Sequence, residues 1–274
     1  MKVGQAERTL NYAIVAGFAL IALAPMAMIL ITAFNPPGSI SGGFTLPGSL
    51  SFDTFSQAWR TGHFDQYMRS SAIVAVAVVA ATTLFSILAG YAFGTMRFAF
   101  DGPLFYLLLA GLVIPFESMI VPLYYDMRSI GLTDTYWALI LPQVGLSVSF
   151  GTFWMRAFFR TIPHELIEAA RIDGASTWRT RWGVLVPIGR PAIVTMILIV
   201  FMWTWNEFLL ALVMVSSEDL RTAPLGLSYF QGRHGTDIAS MAAASVIVAL
   251  PVLVLYVFMQ RHFISGMLAG ALKQ

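Results

Sequence analysis

Residues 70–96 read SSAIVAVAVVAATTLFSILAGYAFGTM, a run without one charged side chain. The hydrocarbon core of a bilayer is about 30 Å thick, and a helix needs roughly 20 apolar residues to cross it. Backbone groups in lipid must be hydrogen-bonded within their own segment. The run therefore predicts a transmembrane α-helix.

Five more apolar stretches of similar length lie on either side of this run. The six predicted spans are 11–34, 70–96, 104–125, 136–155, 191–215 and 238–259. The first is longer than the apolar region of a signal peptide, so we expect a span that is not cleaved. The predicted fold class is an all-α membrane protein in which residues 1–274 form one transmembrane domain.

The composition excludes an ordinary soluble domain. Hydrophobic residues make up 58% of the chain and charged residues 11%, whereas soluble proteins contain about 25% charged residues. The only lysines are Lys2 and Lys273, so no internal GK[ST] motif is present to bind ATP phosphates. There is no cysteine, which excludes a disulfide framework and a thiolate metal site.

The basic residues predict the orientation of the spans. Eleven of the 16 lysines and arginines lie in the connections that share a side with both termini. By the positive-inside rule, both termini are cytoplasmic. The longest cytoplasmic connection is then 156–190, and the longest outer connection is 35–69. Because these charges separate apolar runs, we expect no nucleic-acid partner.

The connection 156–190 reads RAFFRTIPHELIEAARIDGASTWRTRWGVLVPIGR. Pro163 suits the first turn of a helix, and Gly174 suits the left-handed position after a helix end. Ser176 or Thr177 can cap a second short helix. The pattern predicts two short helices joined by a tight turn outside the bilayer.

One face of the first predicted helix combines small and polar residues. Leu166, Ala169, Ala170 and Asp173 share that face by their spacing. The residues alone leave two interpretations open, a docking surface for another protein and an ordinary amphipathic helix at the membrane surface.

The spacing of this connection resembles the EAA loop of ABC importer permeases. Glu168-Ala169-Ala170 is followed by three residues, Gly174, nine residues and VLVP at 184–187. The family pattern is EAA-x3-G-x9-I-x-L-P, and valines stand here for Ile and Leu. IGLTDTYWALILP (130–142), WNEFLLAL (205–212) and the tail 260–274 are similar to the maltose-type permease subunit of carbohydrate importers.

The resemblance implies that the loop is a coupling helix, docked on a cytoplasmic ATPase whose closure drives alternating access of the spans. The implied coupling residues are Glu168, Ala169, Ala170, Arg171, Asp173 and Gly174. The chain itself is then not an enzyme and has no cofactor, because the partner subunit binds ATP and Mg.

The other implied partners are a second permease subunit in a heterodimer, the cytoplasmic ATPase dimer and an extracytoplasmic solute-binding protein. The chain is also expected to contact membrane lipid and a sugar-like solute. The implied location is the cytoplasmic membrane, which the chain crosses several times. In the maltose-type subunits, the tail that corresponds to residues 261–274 of this chain reaches the ATPase interface.

Two acids lie inside predicted spans. Because a charge at the bilayer centre costs about 2.5–3.5 kcal/mol on insertion scales, such a residue is a functional candidate. Glu117, Trp203, Asn206 and Glu207 could line a solute pathway, since carboxylates and amides bond sugar hydroxyls and indoles stack on C–H faces. The alternative is that Asn206 and Glu207 bond to a neighbouring helix or to the partner permease.

Two other functional classes compete with this interpretation of the sequence. A secondary transporter or channel without an ATPase could use the acids, but it has no need of the EAA spacing. An intramembrane enzyme needs clustered catalytic groups, and no catalytic set is apparent. His63, His164, His234 and His262 lie in separate connections or termini, so no metal site is predicted. The identity of the solute stays open.

Overall fold

The computed structural model describes residues 4–39, 50–232 and 235–271, without the side chains of residues 6, 231–236 and 261–271. The described chain is almost entirely helical, which confirms the all-α prediction. A short antiparallel ladder, β1 (Gln231–Gly232) with β2 (Gly235–Thr236), is the exception.

The long helices coincide with four of the predicted spans. These are α1 (Gln5–Ala33), α3 (Phe64–Thr95), α6 (Tyr136–Phe159) and α13 (Ile238–Ala271). Each is long and apolar enough to cross a membrane. A shorter helix, α2 (Asp53–Thr61), precedes α3 in the predicted outer connection.

The other two predicted spans are broken. Residues 104–125 fall on α4 (Asp101–Val113) and α5 (Phe116–Ser129), which are bent by 99° at Ile114 and Pro115. Residues 191–215 fall on α10 (Arg190–Trp205) and α11 (Leu209–Met214). Among the described residues, four helices are long and apolar enough to span a membrane, or up to six if α4 with α5, and Thr177–Ile188 with α10, each count as one bent span.

Short elements complete the chain. They are α7 (His164–Ile172), α8 (Thr177–Thr180), a π-helix (Arg181–Leu185), α9 (Val186–Ile188), a 3₁₀-helix (Glu218–Leu220), α12 (Ala223–Gly226) and a 3₁₀-helix (Leu227–Phe230).

The helices divide into two compact units. The first comprises residues up to Asp65 with Gly226–Pro251, and the second comprises Gln66–Leu225 with residues from Val252 onward. That residues 1–274 form one domain, and that both termini are cytoplasmic, stay predictions.

In the first unit, aromatic side chains pack together at the C-terminal end of α1. The ring of Phe34 lies 5.4 Å from that of Phe52 and 5.1 Å from that of Phe55. The hydroxyl of Thr54 donates to the carbonyl of Asn35 at 2.6 Å. These contacts tie part of the connection 35–69 to the helix, and residues 40–49 of it lie outside the described residues.

In the second unit, small residues let α3 and α6 approach closely. A Cβ at Gly90 would lie 2.5 Å from the Cβ of Met155, and one at Gly151 would collide with Ser86. The apolar core around this contact includes the fully buried Met155 and Met196. Close packing of this kind replaces the hydrophobic effect as the force between helices in lipid.

Candidate functional site

The turn after α7 has the geometry that the sequence predicts. Gly174 has φ +77°, the left-handed conformation that glycine adopts at low cost. The Gly174 N–H donates to Arg171 O at 3.0 Å, and the Ala175 N–H donates to Ala170 O at 2.9 Å. This pair of bonds is a Schellman motif, so it ends α7 and fixes the direction of the following chain.

The two sides of α7 differ sharply in exposure. Ile167 and Ala170 are buried, whereas Glu168, Ala169 and the turn residues Asp173 and Gly174 are exposed. The face predicted from spacing is therefore divided, because Ala170 lies on the buried side. Arg171 is also exposed.

Large apolar side chains stand on the exposed side of the loop. Ile172 is 86% exposed, Trp178 is 62% exposed and Leu166 is 41% exposed. Such residues next to exposed charges form a surface suited to another protein.

The segment after the turn joins the loop firmly to the long helices. Ser176 Oγ accepts a hydrogen bond from Arg179 N at 3.3 Å, so the predicted cap of α8 is present. The guanidinium of Arg181 lies 4.4 Å from the centre of the Tyr91 ring on α3. Leu185 is fully buried, and α8–α9 meets α10 at 77°.

The base of the loop is attached on both sides. The indole N–H of Trp154 on α6 donates to Ala192 O on α10 at 2.9 Å. A Cβ at Gly189 would lie 2.7 Å from the ring of Phe158. The segment from the π-helix to the start of α10 is therefore closely packed against α3 and α6.

Glu117 lies at the break between α4 and α5. Pro115 disfavours a helical conformation at Ile114, which is extended at ψ 122°. Glu117 then falls in the first turn of α5, where the helix dipole favours an anion. Its side chain is exposed in the isolated chain.

Asn206 and Glu207 lie at the break between α10 and α11. Asn206 Nδ2 donates to Met202 O at 2.8 Å, and Glu207 Oε1 accepts from Leu210 N at 2.6 Å. Glu207 therefore caps α11, and both bonds are local rather than to a neighbouring helix. Trp203, 53% exposed, lies one turn earlier with its ring 4.7 Å from that of Phe150.

Asp134 joins two predicted outer connections, a contact that the sequence does not reveal. Its Oδ1 accepts from Ser216 N at 2.9 Å and Ser217 N at 2.8 Å, and the Ser217 hydroxyl donates to Oδ2. The Ser217 hydroxyl and the two N–H groups lower the pKa of Asp134. The one signal for Asp134 in the sequence is that it stands just before an apolar helix, where aspartate is common.

Ser70 and Ser71, at the start of the second predicted span, bind the 3₁₀ segment and α12. Ser70 Oγ donates to Asp219 O at 3.0 Å, and Ser71 Oγ accepts from Ala223 N at 2.8 Å. Ser71 thereby provides a partner for the backbone N–H of Ala223, which is fully buried.

No group of three or more His, Cys, Asp or Glu residues that could hold a metal lies within the described residues. The predicted contact of the tail with an ATPase falls on 261–274, of which 272–274 lie outside the described residues.

Comparison with known proteins gives a consistent result. The family model described as "Binding-protein-dependent transport system inner membrane component" matches residues 83–268. The putative ABC transporter permease protein ORF2 of Caldicellulosiruptor sp. (strain Rt8B.4) is 38% identical, over 93% of each chain. The diacetylchitobiose uptake system permease protein NgcG of Streptomyces coelicolor is 30% identical, over 96% of this chain and 88% of that protein.

Among solved structures, a chain from a bacterial ABC transporter involved in the import of the acidic polysaccharide alginate has a TM-score of 0.82. The match covers 96% of this chain and 99% of that chain, at 21% identity. It supports the fold.

Proposed function

The chain belongs to the family of binding-protein-dependent transport system inner membrane components, and on that premise we propose how its loop and its broken helices work. Permease subunits of ABC importers lie in the membrane and are not enzymes themselves, which agrees with the sequence prediction.

The loop formed by α7, Gly174 and α8 is the site at which a separate ATPase subunit moves this permease. The observation that carries the proposal is the exposure of apolar side chains on a loop whose base packs against α3, α6 and α10. The coupling residues are Glu168, Ala169, Arg171, Asp173 and Gly174, with Ala170 supporting α7 from the buried side.

Replacement of Ile172 by glutamate tests this docking surface. Ile172 is 86% exposed, so a charge there leaves the isolated permease folded but disfavours burial in an apolar groove. We expect I172E to reduce co-purification of the ATPase subunit and solute uptake together. Ile130, 63% exposed in a predicted outer connection, supplies the matched control I130E, which should retain both.

The proposed assembly is a heterodimer of this chain with a second permease, served by an ATPase dimer that binds ATP and Mg and by an extracytoplasmic solute-binding protein. The family description names binding-protein dependence, and the absence of an internal GK[ST] motif requires an external ATPase. If a purified complex takes up solute although it contains no ATPase subunit, this assembly is refuted.

The proposed solute is a carbohydrate. NgcG is named for diacetylchitobiose and the fold neighbour for alginate, both of which are saccharides. A binding screen on the solute-binding protein of the assembly, followed by uptake of the compound that it retains, identifies the solute. Retention of only amino acids or inorganic ions would contradict the carbohydrate assignment.

Within this chain, the proposed pathway runs past the two helix breaks, where Glu117, Trp203, Asn206 and Glu207 lie. Trp203 presents half of its indole outside the isolated subunit, where a sugar face could stack on it. W203A should raise the KM of uptake more than it lowers the maximal rate. W137A, at a comparably exposed indole (57%) at the start of α6, should leave the KM unchanged.

A further inference from the structure

A basic cavity of about 370 Å³ lies where α3 and α6 end and α7 begins. Its lining includes Arg97, Arg156, Arg160 and His164, with Asp101 as the acidic residue. The helices that end here are two of those long enough to cross the membrane, so the cavity lies at a membrane–water boundary.

Arg156 is held in place on the wall of the cavity. Its Nε donates to the carbonyl of Phe93 at 3.2 Å, and its guanidinium carbon lies 3.9 Å from the centre of the Phe105 ring. Stacking and one hydrogen bond orient the planar group, which reduces the entropy lost when its remaining N–H groups bind an anion.

The positive charges of the cavity are only partly balanced. Arg160, the residue that follows the C-terminus of α6, lies one turn after Arg156, and like charges at this spacing repel each other. The carboxylate of Asp101 accepts from Gly102 N at 2.7 Å, in the first turn of α4. An anion between the arginines would relieve the repulsion and receive charge-assisted hydrogen bonds.

The N-terminus of α7 adds to the positive electrostatic potential of the cavity. Ile162 and His164, on either side of its N-terminus, line the cavity. The residue before α7 is Pro163, which provides no side-chain cap for the N–H groups of the first turn. Uncapped N–H groups and the positive end of the helix dipole favour an anion.

We propose that this cavity binds a phosphate-bearing anion, with the phosphate held by Arg97, Arg156 and Arg160. The volume exceeds that of a phosphate group alone and falls within the usual range of ligand pockets. Its position at the membrane boundary makes the headgroup of an anionic phospholipid the first source and free phosphate the second. The site does not depend on which solute the assembly imports.

The test uses the complete purified transporter in nanodiscs of phosphatidylglycerol or phosphatidylcholine, with bound lipid measured by native mass spectrometry after delipidation. We expect selective retention of phosphatidylglycerol. Arg97 and Arg160 are exposed, so the R97Q/R160Q variant should fold while its retention falls about tenfold for each arginine removed.

Two further variants make the result specific. R60Q/R128Q removes two exposed arginines outside the cavity and should retain the lipid as the wild type does. D101N keeps the oxygen that accepts from Gly102 but removes a negative charge from the lining, so its retention should increase.

Inorganic phosphate distinguishes the sources of the anion. If phosphate binds the wild type but not R97Q/R160Q, and the lipids are retained equally, the anion is free phosphate. If R97Q/R160Q retains phosphatidylglycerol fully and phosphate does not bind, the proposal is wrong. Loss of the ATPase subunit from R97Q/R160Q with unchanged lipid retention would overturn it as well, since the arginines would then be docking contacts.

Discussion

Substitution of Gly174 separates the role of the turn from general stability. A Cβ at this position would meet no heavy atom within 4 Å, so a new side chain has space and the cost is conformational. At φ +77° a residue other than glycine costs about 1–2 kcal/mol. That free energy lowers the population of the closed turn by a factor of about 5–30.

The residue types should follow a fixed order. Asparagine enters the left-handed region more readily than alanine, and a β-branched residue does so least. If the turn opens, the hydrogen bonds from Gly174 N and Ala175 N to the end of α7 are lost, and α7 loses its direction relative to α8. We expect uptake per ATP hydrolysed to fall in the order Gly, Asn, Ala, Val at position 174.

The assay is solute uptake and ATP hydrolysis by the reconstituted complex, measured together so that their ratio reports coupling. Gly131 is the matched control, since it has φ +72° and also has no heavy atom within 4 Å of a Cβ. G131V should carry the same conformational cost without the loss of coupling. Equal loss of coupling in G131V and G174V, or normal coupling in G174V, would refute the reasoning.

Three other predictions follow from local contacts. G151V should lower the free energy of unfolding in detergent by about 1–3 kcal/mol, because its side chain collides with Ser86, whereas G145A, with nothing within 4 Å, should not. D134N should be less stable than the wild type at neutral pH. Hydrogen bonds lower the folded-state pKa of Asp134. The difference in stability between the wild type and D134N should therefore be present above the ordinary aspartate pKa, and it should vanish as the pH falls through the lowered pKa of Asp134. Unfolding followed by tryptophan fluorescence at several pH values measures it. E207A should lose the hydrogen bond that caps α11 and about 0.5–2 kcal/mol of stability. E207Q keeps an acceptor oxygen and should remain stable. If a stable E207Q is impaired in uptake, the negative charge of Glu207 has a role in the solute pathway.

The sequence predicts the backbone of the turn after α7 well because its signals are local. Gly174 and Ser176 determine the backbone through their own conformational and hydrogen-bonding preferences, and the structure places them as predicted. The π-helix that follows has no such local signal. It depends on how Arg181 and Leu185 pack against the long helices, and packing is not visible in one sequence.

The break between α4 and α5 shows a limit of hydropathy. Residues 104–125 contain no charged side chain apart from Glu117, so length and composition predict one span. Pro115 coincides with the break, but Pro25, Pro142 and Pro251 lie inside α1, α6 and α13. A proline therefore indicates a possible break, and tertiary contacts decide whether the helix bends or continues.

The exposure of the two breaks bears on the proposed second permease subunit. Glu117 and Asn206 are exposed in the isolated subunit, within stretches that the sequence predicts to lie at bilayer depth. Lipid offers such groups no hydrogen bonds, and a charge there costs several kcal/mol. A water-lined pathway shared with a second permease removes that cost. In the proposed heterodimer, these residues face a pathway of which this chain forms one wall, and we expect cross-linking from positions 117 and 206 to reach the second permease subunit rather than lipid.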